Sequence, residues 1–250
     1  MKITATLTFH NELEFLPGWF DSVKNYADEV ICAAHNPTDG SLEFVKNLQS
    51  SYPATIKILE FPEDTVRKNG FSYMKNAAAE LATGDWIVSL DADEEMEMTK
   101  ETLSPFIKGR NVGVTTITKH TTVNHPNWDL NNRKQIREEA KWITQKHWRI
   151  YKNGIGTKWC GLIHESLQTQ DKKHIAFNSR ASNIYMWHYG AMANPAKRTF
   201  KDGLYAELLL RIVEEPSLRV GTDKWWYTEY YLQNKNQLEQ ARDDYREGLK

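Results

Sequence analysis

Apolar and polar positions along the first half of the chain repeat in an order of strand, helix, strand. Ile3 to Phe9 is a run of β-branched and apolar residues that predicts a strand, closed by His10, Asn11 and Glu12. Leu16, Trp19, Phe20 and Val23 follow at helical spacing, with Pro17 in the first turn, where a missing N–H leaves no bond unmade. Asp28 to Ala34 predicts a second strand. The polar turn from His35 to Gly40 then leads to a helix carrying Leu42, Val45 and Leu48. Thr55 to Phe61 predicts a third strand. Phe71 to Ala82 predicts a helix with Met74, Ala77, Ala78 and Leu81 on one face and Gly84 as its C-cap. Short connections between alternating strands and helices imply a mostly parallel sheet with helices on both faces.

The next stretch, Trp86 to Glu95, changes character abruptly. Trp86, Ile87, Val88 and Leu90 have the composition of a buried strand, and Asp91, Asp93, Glu94 and Glu95 follow at once. Carboxylates this close repel one another, and burying them unpaired costs several kcal/mol. A divalent cation with a taste for hard oxygen ligands, Mg²⁺ or Mn²⁺, relieves that repulsion. A solvated acidic helix N-terminus is the plainer alternative. In parallel sheets ligands bind beyond the carboxyl ends of the strands. His10 to Glu12, the turn at Asp39, and Asp91 to Asp93 all fall at those ends.

The second half is less regular. Val112 to Thr118 predicts a strand, and His120 to Lys146 a loop with a helix inside it. Trp148 to Tyr151 and Cys160 to Leu167 predict short strands joined by a Gly-bearing turn, and Asn183 to Gly190 another strand, ending in His188. From Pro195 the chain reads as helical. Phe200, Leu204, Leu208 and Ile212 share a face, Trp225 to Tyr231 begins a second helix, and Leu238, Ala241, Tyr245 and Leu249 mark a third. The expected division is a catalytic domain over residues 1–195 and a helical extension over 196–250.

Composition narrows the class. Of 250 residues, 40% are apolar and 26% charged, as in water-soluble globular domains, and a net charge of −1 provides no field to attract nucleic acid or an anionic membrane. Cys32 and Cys160 read as free thiols in a reducing compartment. The start of the chain runs directly into a strand rather than a secretion signal, and no apolar run reaches a membrane span. The simplest location is cytoplasmic, with room for peripheral contact at the inner membrane face. Nine Trp and eleven Tyr are many for this length, and Trp142, Trp148, Trp159 and Trp187 offer an apolar platform for a sugar ring.

Several segments resemble the inverting GT-A glycosyltransferases of family 2. T-F-H-N-E at Thr8 to Glu12 is similar to that family's opening strand and polar loop. E-V-I-C-A-A-H-N-P-T-D-G-S from Glu29 resembles its second strand and turn. K-N-A-A-A-E-L-A-T-G-D-W-I-V-S-L-D-A-D-E, from Lys75 to Glu94, resembles its D-A-D-E segment. C-G-L-I-H-E-S-L from Cys160 and I-Y-M-W-H-Y-G from Ile184 resemble later segments of a bacterial lipopolysaccharide-core and peptide-type subgroup. The likeness spans roughly residues 1–195. Where the family commonly has an acid facing the nucleotide base, this chain has Ala34 followed by His35, which leaves Asp39, His35 or backbone groups to read the base. Lys75 stands where arginine is more usual.

The resemblance implies a GT-A, Rossmann-like sheet and metal-dependent transfer from a nucleotide-diphosphate sugar. It implies that Asp93 ligates the metal and that Asp91 contacts the donor ribose or a metal-bound water. His188, at a strand end, is the expected further ligand, with His164 as its competitor. Asn11, Glu12, Asp39 and Lys75 are the remaining donor-pocket residues, with Lys75 reaching the diphosphate. The acceptor's general base is expected at Glu165, with Glu94 or Glu95 next. Acceptors open to such an enzyme include a lipid-linked sugar, lipopolysaccharide core, a protein side chain or a modified nucleobase, and the aromatic tail could serve a homodimer. Two other classes use similar sheets. A nucleotidyltransferase would need a Gly-rich basic loop after the first strand, and the loop here is acidic. A catalytically inactive interaction module would have no need of its acids.

Overall fold

The computed structural model describes residues 1–109, 111–121, 128–169, 179–192, 195–218 and 231–248. The first half alternates β1 (Ile3–Phe9), α1 (Leu16–Val23), β2 (Glu29–His35), α2 (Ser41–Leu48), β3 (Thr55–Phe61), α3 (Thr65–Asn69), α4 (Phe71–Glu80) and β4 (Trp86–Asp91). A short β5 (Glu94–Glu97) and α5 (Lys100–Leu103) follow. Beyond them lie β6 (Gly113–Thr121), α6 (Arg133–Glu139), β7 (Trp142–Lys152), β8 (Thr157–Cys160), β9 (Ser166–Thr169), β10 (Ser179–His188), α7 (Pro195–Glu214) and α8 (Tyr231–Gly248).

Eight strands form one sheet in the order β3-β2-β1-β4-β7-β6-β10-β5, and β8 and β9 form a separate hairpin. The left half, β3 to β4, is parallel throughout, as the alternating pattern implies. β7 enters antiparallel between β4 and β6, and β5 closes the edge antiparallel to β10. β2 shows why this sheet needs cover on both faces. Val30, Cys32 and Ala34 pack with Leu16, Trp19, Phe20 and Val45 of α1 and α2. Ile31 and Ala33 pack with Val66, Met74 and Ala78 of α3 and α4 and with Leu204, Leu208 and Ile212 of α7. Each such fully buried large side chain contributes about 1.5–3 kcal/mol.

Four local expectations change. The acids after β4 do not open a solvated helix: Glu94 and Glu95 lie in β5 and are 2% and 4% exposed. The segment from His120 to Lys146 does contain a helix, α6, but its two ends belong to β6 and β7. Cys160 to Leu167 is not one strand, because the backbone turns at Gly161 (φ 111°) and His164 (φ 50°). Gly84 is not a C-cap, since α4 ends at Leu81 in an ordinary helical conformation. A Cβ at position 84 would lie 2.7 Å from the Thr4 backbone nitrogen, so the glycine permits a close crossing of β1. The helix read at Trp225 to Tyr231 and the position of Leu249 fall outside the described residues, apart from Tyr231, which opens α8.

Glu29 ties this crossing together. Its carboxylate accepts bonds from Thr4 Oγ1 (2.6 Å), Lys57 Nζ (2.7 Å) and Thr83 N (2.8 Å), joining β1, β3 and the turn before β4. Burial opposes its charge, but these donors outweigh burial and hold its pKa down at about 2. A depressed carboxylate stabilises the fold above its ordinary value and loses that contribution as pH falls from about 4.5 towards 2. Glu29→Gln is expected to cost about 2 kcal/mol at neutral pH, and to flatten the loss of stability over that acid range in denaturant titrations.

Candidate active site

The carboxyl ends of β1, β2 and β4 open into a cavity of about 660 Å³. Register explains its acidic floor. Asp91 ends β4 opposite Thr8 of β1. The chain then doubles back through Ala92 and Asp93 into β5, where Glu94 pairs with His188 at the end of β10. The Tyr189 N–H donates to the Asp93 carbonyl (2.8 Å), which brings Asp93 against His188.

The acids fall into two sets. Asp91 is bound by Lys75 Nζ (2.9 Å) and by an Arg149 Nη2 (3.0 Å). Lys75, 4% exposed, also lies 3.7 Å from Glu165, and its ammonium sits over the Trp159 ring. Arg149 binds Glu94 as well, and the Asp91 N–H donates to Glu94 Oε2 (2.9 Å). Burial would raise the Asp91 pKa, but Lys75 and Arg149 outweigh it and hold the group well below the usual range. Burial raises Glu94, and the Arg149 charge only partly offsets this. Glu95 points away, to Arg133 (2.7 Å) and Arg137 (2.9 Å) of α6, and serves to dock that helix.

Asp93 forms the second set. Its Oδ2 lies 3.4 Å from His188 Nε2 and 3.9 Å from Lys201 Nζ of α7. Burial disfavours charge on His188, but Asp93, Glu94 and Asp91 outweigh burial and lift its pKa to about 9. The Nδ1 atoms of His188 and His120 are 2.7 Å apart, so the charged His188 donates to His120. His120 and His147 are lowered to about 4, chiefly by burial and then by nearby cations, and line the wall as neutral rings. Gly190 flanks the Asp93–His188 pair. A Cβ there would lie 2.8 Å from Asp93 Oδ2 and 2.9 Å from His188 Nε2.

Glu12, Lys75, Asp91, Asp93, Glu165 and His188 therefore share the cavity wall. Asn11 and Asp39 are not among its lining residues. Asn11 Oδ1 accepts from Thr38 N (2.6 Å), and Asp39 accepts from Ser41 N and Leu13 N (both 3.0 Å). Together they staple the loop after β1 to the turn after β2. His35, beside them, faces the cavity, and burial lowers its pKa; its Nε2–H donates to the Glu63 carbonyl (2.6 Å). The four tryptophans expected as a sugar platform lie away from this cavity. Trp142 and Trp187 pack edge to face at 4.9 Å, Trp159 supports Lys75, Trp148 is surface-exposed, and none lines the cavity.

Sequence reasoning missed Arg149, His147 and Lys201. Gln145, His147 and Arg149 alternate along β7, a period-two polar set that would have revealed one wetted strand face. Lys201 leaves no such mark, because only the docking of α7 brings it to Asp93.

A family model described as Glycosyl transferase family 2 matches residues 4–168, well over half of the chain. The chain belongs to glycosyl transferase family 2. Its sheet is of the GT-A type, and its chemistry is glycosyl transfer, which removes the nucleotidyltransferase alternative. An uncharacterised glycosyltransferase of Rickettsia bellii is 25% identical over 236 residues, covering 90% of this chain and 74% of that protein. The SPbeta prophage-derived glycosyltransferase SunS of Bacillus subtilis is 30% identical over 95 residues, 36% of this chain and only 20% of SunS. Among solved structures, S. aureus TarS 1-349 is 16% identical with a TM-score of 0.49, over 98% of this chain and 80% of that one. Among the described residues, no helix of this family 2 member is long and apolar enough to cross a membrane.

Proposed function

We propose that this family 2 enzyme transfers a sugar from a nucleoside-diphosphate donor to an acceptor hydroxyl, with inversion at the anomeric carbon and with Mn²⁺ or Mg²⁺ bound beside the donor. The observation that carries this reading is the pair formed by Asp93 Oδ2 and His188 Nε2, 3.4 Å apart above a glycine. An anionic oxygen and an imidazole nitrogen at that separation suit adjacent positions on one divalent ion. The space that a Cβ at position 190 would fill keeps them accessible. Among the described residues no three His, Cys, Asp or Glu side chains converge as a complete metal cage. Two protein ligands with the rest supplied by phosphate and water is the usual arrangement for these ions. Asp91 does not join the pair, being held by Lys75 and Arg149, and its proposed part is to fix those cations near the donor's ribose and phosphates.

When bound, the metal supplies charge neutralisation to the departing diphosphate. Lys75 and Arg149, whose side chains are only 5% and 13% exposed, add fixed positive charge that is worth more there than in bulk solvent. Glu165 takes the proton of the acceptor hydroxyl as that oxygen attacks the anomeric carbon and the carbon–phosphate oxygen bond breaks. Two features favour Glu165 over Glu94. Glu94 keeps 3% of its side chain exposed, with both oxygens committed, whereas Glu165 lies 3.7 Å from its nearest cation and keeps 13% of its side chain open. Glu12, His10, His35, Phe71 and Met74 form the side of the cavity left for the ribose and base. Residues 1–195 make the transferase unit in this reading, and 196–250 the helical extension, of which Lys201, Leu204 and Tyr205 line the cavity.

Bacterial surface polymers are the favoured acceptors. A relative named poly(ribitol-phosphate) beta-glucosyltransferase, of Bacillus spizizenii, is 27% identical over 99 residues, 38% of this chain and 15% of that protein, and the I-H-E-S-L segment resembles the bacterial lipopolysaccharide-core and peptide-type subgroup. The reading is tested by offering a panel of nucleotide sugars and glycan acceptors with Mn²⁺, and following nucleoside diphosphate by mass spectrometry and the new linkage by NMR. A β-linked product from an α-linked donor is expected. A retained configuration would overturn the direct displacement.

The glycine flank gives a further expectation. Gly190→Ala should weaken Mn²⁺ binding by about tenfold, through a steric conflict whose relief requires a shift of Asp93 or His188. Calorimetric titration with Mn²⁺ checks it, and unchanged affinity would place the metal elsewhere.

A further inference from the structure

Helix α7 lies outside the residues matched by the family model, yet it forms part of the cavity wall. Its later turns are anchored: Leu208 and Ile212 are fully buried, and Arg211 donates to the backbone carbonyls of Arg67 and Lys68. This anchoring sets the earlier turns over the donor cavity, where Lys201 reaches to 3.9 Å from Asp93 Oδ2.

Lys201 differs from the other cations of the site. Lys75 and Arg149 each bridge two carboxylates and keep only 5% and 13% of their side chains exposed. Among the described residues Lys201 lies within 4 Å of one carboxylate, at longer range, with 49% of its side chain exposed. An ion pair of that kind is weak and readily exchanged. The oxygen it faces is the same Asp93 Oδ2 that faces His188. A divalent ion at that oxygen and an ammonium at 3.9 Å from it would repel each other, so the two compete for one carboxylate.

We propose that Lys201 exchanges partners when the donor binds. It balances Asp93 while no metal is present, and moves to the donor's diphosphate once a divalent ion takes Asp93. This rests on the metal and diphosphate reading above and adds a substrate-binding residue from the extension. No bond is made or broken in the exchange, which moves one ammonium between two anions across a half-open surface.

The proposal predicts effects of opposite sign in one variant. Lys201→Gln removes the competitor, so Mn²⁺ alone should bind about fivefold tighter, measured by the paramagnetic resonance of free Mn²⁺. The same variant lacks the phosphate contact, so inorganic pyrophosphate at saturating Mn²⁺ should bind about tenfold weaker by calorimetry. Lys201→Arg keeps the charge and should bind pyrophosphate within about threefold of the natural protein. It also supplies a readout if the glutamine variant folds poorly, which a melting curve detects. Unchanged pyrophosphate affinity in Lys201→Gln, or weakening of both ligands together, would overturn the exchange while leaving the transferase reading intact. If the natural protein bound neither Mn²⁺ nor pyrophosphate, the metal and diphosphate reading would fall and the exchange with it.

Discussion

Asp93→Asn is expected to lower kcat/KM for sugar transfer by at least ~10³-fold while the protein remains folded. Asparagine keeps the shape of the side chain and its place in the chain reversal between β4 and β5, because the anchoring bond there is made by the Asp93 backbone carbonyl. What disappears is the anion. His188 loses the carboxylate that lifts its pKa to about 9 and returns towards the ordinary imidazole range. A divalent ion loses its one charged ligand. Lys201 loses its counterion, which at 49% side-chain exposure water replaces with little effect on the fold. Initial rates with and without Mn²⁺, beside a melting curve, check this. Near-natural turnover in a folded Asp93→Asn protein would remove Asp93 from the chemistry.

Glu165→Gln is the second large effect expected, a fall in kcat of about 10²–10⁴ with a small change in the KM of the donor. Glutamine cannot take the acceptor's proton, so the loss appears in the chemical step. Donor affinity changes little, because Lys75 keeps its shorter bond to Asp91 (2.9 Å) after losing a partner at 3.7 Å. The backbone that presents Glu165 is unusual, since His164 before it has φ of 50° in the tight turn between β8 and β9. Glu94→Gln provides the contrast. Glu94 is buried against Arg149 and caps the Asp91 N–H, so its loss should first appear as lowered stability. Rates and melting temperatures of the two variants, measured together, separate base from scaffold. A Glu165→Gln enzyme with a normal kcat would move the search for the base to Glu94.

The left half of the sheet was legible because its strands are buried on both faces. Val30 to Ala34 reads as a continuous apolar run, since alternate residues face different helices of a single layered core. The right half was harder. β6, β7 and β10 mix cavity-facing histidines with outward-facing lysines and tryptophans, so neither period nor composition stands out. Glu94 and Glu95 show the same limit. Four acids in five residues look solvated until Arg149, Arg133 and Arg137 arrive from strands and helices far along the chain. Asp93 and His188 could each be suspected from a strand end, but their pairing depends on the β5–β10 register. Asn11 and Asp39 show the converse, polar residues at the right edge that are used up holding two loops together. Lys201 depends on a helix packing onto a different cavity wall, which no local pattern encodes.

The measurement that tests the account most directly is calorimetric titration of the protein with a panel of nucleoside diphosphates, with and without Mn²⁺, in the natural chain and in Asp93→Asn. The account predicts binding of one nucleoside diphosphate that requires Mn²⁺ and is lost in the variant. Binding of equal strength without metal, or retained in Asp93→Asn, would contradict a metal held by Asp93 and His188 as the group that receives the donor.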